Sequence, residues 1–182
     1  MICILGKTAS GKNAIIEKLQ KEYGYKRIVT YTTRPMRDGE VQDVDYHFIG
    51  KTDFIQMIER EELAEWKVYE SAFGHWYYGV AKKDIDNDPD KILIITPAGY
   101  RDITDSLGYK PKSLYIYANN ATIKNRLRLR GDNEDESKRR IEQDNKDFKD
   151  VIFLADKIVY NNEEDDLDDV VHKVIEVLDE MR

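Results

Sequence analysis

Apolar positions along this chain fall into short runs separated by amphipathic stretches. Ile2-Cys3-Ile4-Leu5 is continuous and reads as a strand buried on both faces. After a glycine-bearing turn, Ile15, Ile16, Leu19 and Tyr23 recur at helical spacing, and Gly24 ends that helix. Residues 26–29, 91–95, 113–117 and 157–160 repeat the strand pattern. Thr96-Pro97 opens a helix as cap and first helical residue, and Asn119 or Asn120 caps another that runs to Arg130. Leu167, Val170, Val171, Val174, Leu178 and Met181 mark one face of a final helix. This alternation predicts an α/β fold whose parallel core sheet is flanked by helices on both faces. Residues 31–80 break the rhythm. Aromatic and charged positions alternate there, Pro35, Gly39, Gly50, Gly74 and Gly79 punctuate them, and strands at 46–49 and 63–69 flank a helix near 52–60. The segment reads as an inserted mixed α/β subdomain. Residues 131–150 are dense in charge and read as an exposed helix or flap.

Composition changes this picture in two places. The 182 residues are 41% hydrophobic, enough for one globular core, and no apolar run approaches the ~18 residues of a membrane span. The net charge of −7 is concentrated at the C-terminal end. Residues 163–182 carry nine acids and two bases, so residues 1–162 are balanced and remain compatible with a polyanionic small molecule. Cys3 is the sole cysteine, which excludes an intramolecular disulfide and suits a reducing compartment. Gly6 follows too soon for a signal peptide, so a cytoplasmic protein is expected. His47, His75 and His172 lack metal-ligand spacing and read as structural.

Gly6-Lys7-Thr8-Ala9-Ser10-Gly11-Lys12-Asn13 has the spacing of a phosphate loop, G-x-x-x-x-G-K. Glycine permits the dihedrals that turn backbone N–H groups inward, the following helix N-terminus adds positive potential, and Lys12 supplies a point charge for β/γ-phosphates. A strand directly before and a helix directly after make this more than an incidental glycine turn. The Ser or Thr that would place a hydroxyl on Mg²⁺ is Asn13, whose carbonyl oxygen is the remaining protein ligand for that ion; otherwise phosphates and water hold it.

The second constellation runs Thr30-Tyr31-Thr32-Thr33-Arg34-Pro35-Met36-Arg37-Asp38-Gly39-Glu40, followed by Asp45-Tyr46-His47-Phe48. Two guanidinium forks three residues apart, with a tyrosine hydroxyl, can fix a phosphate dianion in one orientation. A solvated basic turn is the plain alternative. With Leu63-Ala64-Glu65-Trp66, Trp76-Tyr77-Tyr78-Gly79, Arg126-Leu127, Arg130-Gly131 and Arg139-Arg140-Ile141, these stretches resemble the guanylate kinase family over nearly the whole chain.

The resemblance implies a P-loop nucleoside monophosphate kinase using ATP and Mg²⁺ to convert GMP or dGMP to the diphosphate. It implies a single domain with core 1–30, 81–122 and 151–182, an acceptor-binding subdomain 31–80 and a helical lid 123–150. It assigns Arg34, Arg37, Tyr46 and Tyr78 to the acceptor phosphate, Glu65 to the guanine edge with Thr30 assisting, and Glu40 to ordering the arginines. Thr96 lies where the family carries an acid, so a plain helix cap competes with an acceptor role. Arg126, Arg130 and Arg140 (with Arg139 one register away) become catalytic lid arginines alongside Lys12, and Asn161 falls near the adenine. Small-molecule nucleotides are then the partners, with neither nucleic acid nor membrane, as monomer or homodimer. Departures from the family are a longer spacing from Glu65 to Tyr78, predicting a loop over 70–75, and Val80 where a Ser or Thr usually meets the base. They leave two alternatives: a kinase for another small phosphate ester, such as another deoxynucleotide or ribose 1,5-bisphosphate, or a non-catalytic binding module. Lys12 and the lid arginines disfavour the module.

Overall fold

The computed structural model describes residues 1–71, 74–108 and 110–181. In chain order the elements are β1 (Ile2–Leu5), α1 (Lys12–Tyr23), β2 (Lys26–Arg27), β3 (Tyr31–Thr32), β4 (His47–Phe48), α2 (Lys51–Glu59), β5 (Leu63–Ser71) and β6 (Gly74–Ala81). They continue with β7 (Lys91–Ile94), α3 (Pro97–Leu107), β8 (Lys112–Tyr117), α4 (Asn120–Leu129), α5 (Glu134–Asp147), β9 (Lys157–Tyr160) and α6 (Leu167–Met181). The chain divides into two compact units, one of residues 1–27, 88–98 and 111–182, the other of 28–87 and 99–110.

The first unit is built on a parallel sheet in the order β2-β7-β1-β8-β9. β1 lies in the middle, which is why all four of its residues are apolar and buried. Ile15, Ile16 and Leu19 of α1 and Val170, Val171, Val174, Leu178 and Met181 of α6 cover one face, packing on Ile2, Ile4, Ile92, Leu114, Ile116 and Val159. Each such side chain contributes about 1.5–3 kcal/mol on burial. Ile123 and Leu127 of α4 and Ile141 of α5 form a second cluster with Ala118. Asn119 caps α4 by accepting from Thr122 N–H at 2.8 Å, and Asn133 caps α5 through Glu136 N–H at 3.0 Å, so the charged segment 131–150 is mostly a regular helix.

The second unit carries a mixed sheet, β4-β3-β6-β5, with β3 and β4 parallel and the remaining pairs antiparallel. Phe54 of α2 packs beneath it with Leu63, Ala81 and Tyr77. Several local expectations change here. The strands near 26–29 and 46–49 shrink to two residues each, while β3 and β6 appear where the pattern showed no strand. Residues 70 and 71 pair with 75 and 74 instead of forming a loop; residues 72 and 73 lie outside the described set. Aromatic side chains on both faces of β6 erase the alternation that marks a half-buried strand. Among the described residues, no helix is long and apolar enough to cross a membrane.

Candidate functional site

Residues 6–11 join the end of β1 to α1. Gly11 caps α1 with φ 89°, a left-handed value that disfavours a side chain, and a Cβ there would lie 2.1 Å from Asn161 Nδ2. That contact exists because Asn161, just past β9 and buried, donates from Nδ2 to Ser10 O at 2.9 Å. The planar peptide therefore turns Gly11 N–H away from Asn161. Arg126 of α4 continues the brace, donating to Ala9 O at 3.3 Å and to Asn161 Oδ1 and Asn162 O at 3.2 Å each. Asn161, expected beside the adenine, thus supports the loop backbone, and Arg126 bridges the loop to the end of β9.

Lys12 folds over the loop it belongs to. Its Nζ donates to Gly6 O at 2.7 Å, Lys7 O at 2.6 Å and Ser10 Oγ at 3.3 Å. Burial pulls its pKa down to about 8, against the opposing field of Asp144. That carboxylate comes from α5 and accepts Thr8 N–H at 2.6 Å, while its neighbour Asn145 accepts Lys7 Nζ at 2.6 Å. Burial pushes the Asp144 carboxyl up, with Thr8 N–H, Lys12 and Lys7 pulling the other way. Asn13 is exposed on the first turn of α1.

The other arginines expected on a lid are held by acids. Arg130 makes a two-pronged contact with Asp132 at 2.5 and 2.6 Å. Arg140 reaches Glu136 at 2.9 Å and Asp132 at 3.5 Å, whereas Arg139 binds Glu136 at 2.8 and 2.9 Å. These bonds, Arg139's foremost, draw the Glu136 carboxyl down to about 2. Arg140 therefore shares Asp132 with Arg130, and Arg139 points further into solvent.

In the second unit, Arg34 is buried and forked onto Glu40 at 2.7 and 2.5 Å, with Arg37 N–H donating to the same carboxylate at 2.8 Å. Burial alone would raise the Glu40 carboxyl; the Arg34 fork and Arg37 amide outweigh it and hold the group below the usual range. The Arg34 guanidinium lies 5.1 Å from the Tyr46 ring centre and 5.4 Å from that of Phe48. Tyr46 meets Tyr78 edge-on at 6.0 Å, and Tyr78 meets Tyr69 at 5.5 Å. Strand alternation puts Glu65, Lys67 and Tyr69 of β5 on one face, with Tyr78 and Val80 opposite Lys67 and Glu65 on β6. Trp66 and Tyr77 turn to the other face, toward Phe54.

Glu65 is the most perturbed acid of this face. Its Oε2 is buried with no hydrogen-bond partner, and burial raises its pKa to about 7, Lys67 opposing and Asp102 adding slightly. Thr30 precedes β3 and its carbonyl accepts His47 N–H at 2.9 Å. Thr96 belongs to the first unit, between β7 and α3, whereas every other acceptor candidate belongs to the second.

Sequence reasoning missed Asp132, Glu136, Asp144, Asn145 and Asn162. The spacing of Arg140 and Asp144, four apart on α5, was the available signal for the last turn of that helix. Nothing local tied Asp144 to Thr8, 136 residues earlier.

The family model described as guanylate kinase matches residues 1–181. A guanylate kinase from Sulfurimonas denitrificans is 32% identical over 170 residues, which is 89% of this chain and 80% of that protein. Guanylate kinase 2, chloroplastic/mitochondrial, from Oryza sativa subsp. japonica is 34% identical over 123 residues, 65% of this chain and 42% of its own length. The guanylate kinase of Aliivibrio fischeri is 32% identical over 135 residues, 70% and 63% respectively. The chain thus spans less than two thirds of the length of these last two relatives. In fold it is similar to the crystal structure of guanylate kinase from Anaplasma phagocytophilum, with a TM-score of 0.67 over 100% of this chain and 85% of that one, at 19% identity.

Proposed function

The chain belongs to the guanylate kinase family, and from that membership we propose that it transfers the γ-phosphoryl group of ATP to GMP or dGMP, giving ADP and the diphosphate. The observation that carries the choice of acceptor is Glu65. A buried carboxylate oxygen without a partner is costly unless a ligand completes it. Guanine offers adjacent N1–H and N2–H donors that a carboxylate can take together, and adenine offers no such pair.

In this reading the loop amides of residues 6–13 and Lys12 receive the ATP phosphates, and Arg126 and Asn161 hold the loop in its receiving shape. Arg34, Arg37, Tyr46 and Tyr78 take the acceptor phosphate, with Glu40 fixing the Arg34 fork in place. Thr30 assists at the acceptor, and Thr96 serves first as the residue before α3. Arg130 and Arg140 are the arginines available to stabilise the transferring group once they exchange Asp132 and Glu136 for phosphate oxygens. Phosphoryl transfer needs this concentration of cations because its transition state spreads negative charge over equatorial oxygens. An acceptor phosphate oxygen is already a competent nucleophile, so no general base is required.

Among the described residues, no cluster of three or more His, Cys, Asp or Glu could hold a metal. A Mg²⁺ ion arriving with ATP, held by phosphates, water and the Asn13 carbonyl, fits that donor set and would neutralise charge between the phosphates. The Lys12 side chain in the loop argues against a binding module that has lost the enzyme's chemistry.

A coupled ATP-to-ADP assay over a panel of nucleoside and deoxynucleoside monophosphates tests the proposal. GMP and dGMP are the expected acceptors, and Lys12→Ala is expected to lower kcat about 100- to 1,000-fold. Turnover of no acceptor sinks the enzyme reading, and AMP turned over as well as GMP rejects the role given to Glu65.

A further inference from the structure

The phosphate loop already holds an anion. Thr8 N–H, an amide of the loop, donates to Asp144 Oδ2 at 2.6 Å, the short length of a charge-assisted bond. The same carboxylate faces Lys12 and Lys7, so it sits in the positive field that the loop concentrates. Asn145 binds the Lys7 ammonium at 2.6 Å, so the last turn of α5 engages the loop through two neighbouring side chains. Lys12 meanwhile is wound onto loop carbonyls and the Ser10 hydroxyl. An amide donor and two ammonium groups are what a phosphate oxygen seeks; they are poor surroundings for a divalent cation.

We propose that Asp144 is an internal stand-in for the nucleotide phosphate: it occupies Thr8 N–H and must leave that amide before ATP binds. This rests on residues 6–13 being the nucleotide phosphate loop. Two consequences follow from the geometry. The carboxylate keeps the loop in its anion-receiving shape, and it competes with ATP by charge and by site. Because Asp144 rides on α5, which also carries Arg139 and Arg140, its departure couples loop occupancy to the setting of those arginines.

The test is calorimetric titration of wild type, Asp144→Asn and Lys12→Ala with ATP in EDTA, with inorganic tripolyphosphate, and with ATP plus Mg²⁺. Asn keeps the size of the side chain and an acceptor for Thr8 N–H while removing the charge. Asp144→Asn is expected to bind ATP and tripolyphosphate roughly three- to tenfold more tightly than wild type. Affinities equal to or weaker than wild type overturn the proposal. So does a loss confined to the Mg²⁺ titration, which would make Asp144 a metal ligand. If neither wild type nor Asp144→Asn binds any of the three, the phosphate-loop reading itself falls; wild-type binding without a gain in the variant defeats only the stand-in. A wild-type measurement guards against a variant that does not fold. The Asp144 carboxyl ¹³C and Thr8 amide NMR signals are expected to shift together as ATP saturates the loop, and an unmoved carboxyl signal rejects displacement.

Discussion

Glu65 is a side chain whose cost to stability would be offset by recognition in the proposed function. Its carboxyl is raised from 4.5 to about 7, first by burial, so the folded protein holds that proton more tightly than the unfolded chain does. Its contribution to stability therefore declines as pH rises from 4.5 to 7 and is flat above. Glu65→Gln is expected to raise Tm at pH 8, with a gain that shrinks toward pH 4.5; a gain independent of pH would show that ionisation of Glu65 is not the cost. On the proposed reading acceptor binding would have the opposite slope, because guanine would need the ionised carboxylate. KM for GMP should fall about tenfold between pH 6 and pH 8, and the Gln variant should lose that pH dependence along with its affinity. Val80, directly across the ladder and buried, adds apolar surroundings where a hydroxyl would have supplied a donor. The departure that reduced the number of base contacts in the sequence is thus also a neighbour that helps keep Glu65 protonated.

At the scale of elements, what was legible depended on whether the physics was contiguous. β1, α1, β7, β8, β9 and α6 were readable because each carries its own apolar run or stripe, and the phosphate loop because its glycines and lysine lie within eight residues. β3 and β6 were not, because they separate an aromatic core from an aromatic and charged face, and neither side looks polar in sequence. The brace under the loop was equally hidden. It depends on Asn161 and Arg126 arriving from β9 and α4, and Asn161 drew notice only through the family resemblance, for a different role. The brace makes Gly11 a point where two elements collide. Gly11→Ala places a methyl group on Asn161 Nδ2 and a left-handed φ on alanine, so it should lower stability and weaken ATP binding together. Asn161→Ala removes the clash but leaves Ser10 O without its donor, and costs about 1–3 kcal/mol. If Gly11→Ala in an Asn161→Ala background is no better tolerated than in wild type, measured by urea unfolding, the contact is not what restricts that glycine.

The whole-molecule charge has to be divided before it says anything about function. Residues 163–182 account for the whole of the −7, yet their acids are not equivalent. Glu163 accepts from Asn125 Nδ2 at 2.5 Å; burial lowers the Arg126 pKa, and Glu163 with Asp165 offsets part of that lowering. These two belong electrostatically to the brace of the loop. Lys18 pairs with Asp168, which ties α1 to the first turn of α6. Asp169 and Glu176, by contrast, are exposed on α6 beside a face that is otherwise committed to the core. Exposed charges separated from a site by more than a Debye length, about 10 Å at 0.1 M salt, are largely screened. Replacing Asp169 and Glu176 with Asn and Gln removes two negative charges and should leave KM for ATP within twofold at 0.1 M salt. Glu163→Gln removes only one, but should shift ATP affinity measurably because Arg126 loses a neighbour. Equal responses per charge in the two variants, measured at matched ionic strength, would mean that net charge governs nucleotide binding after all. The expected inequality would place the control in the few acids that touch the loop's own cations.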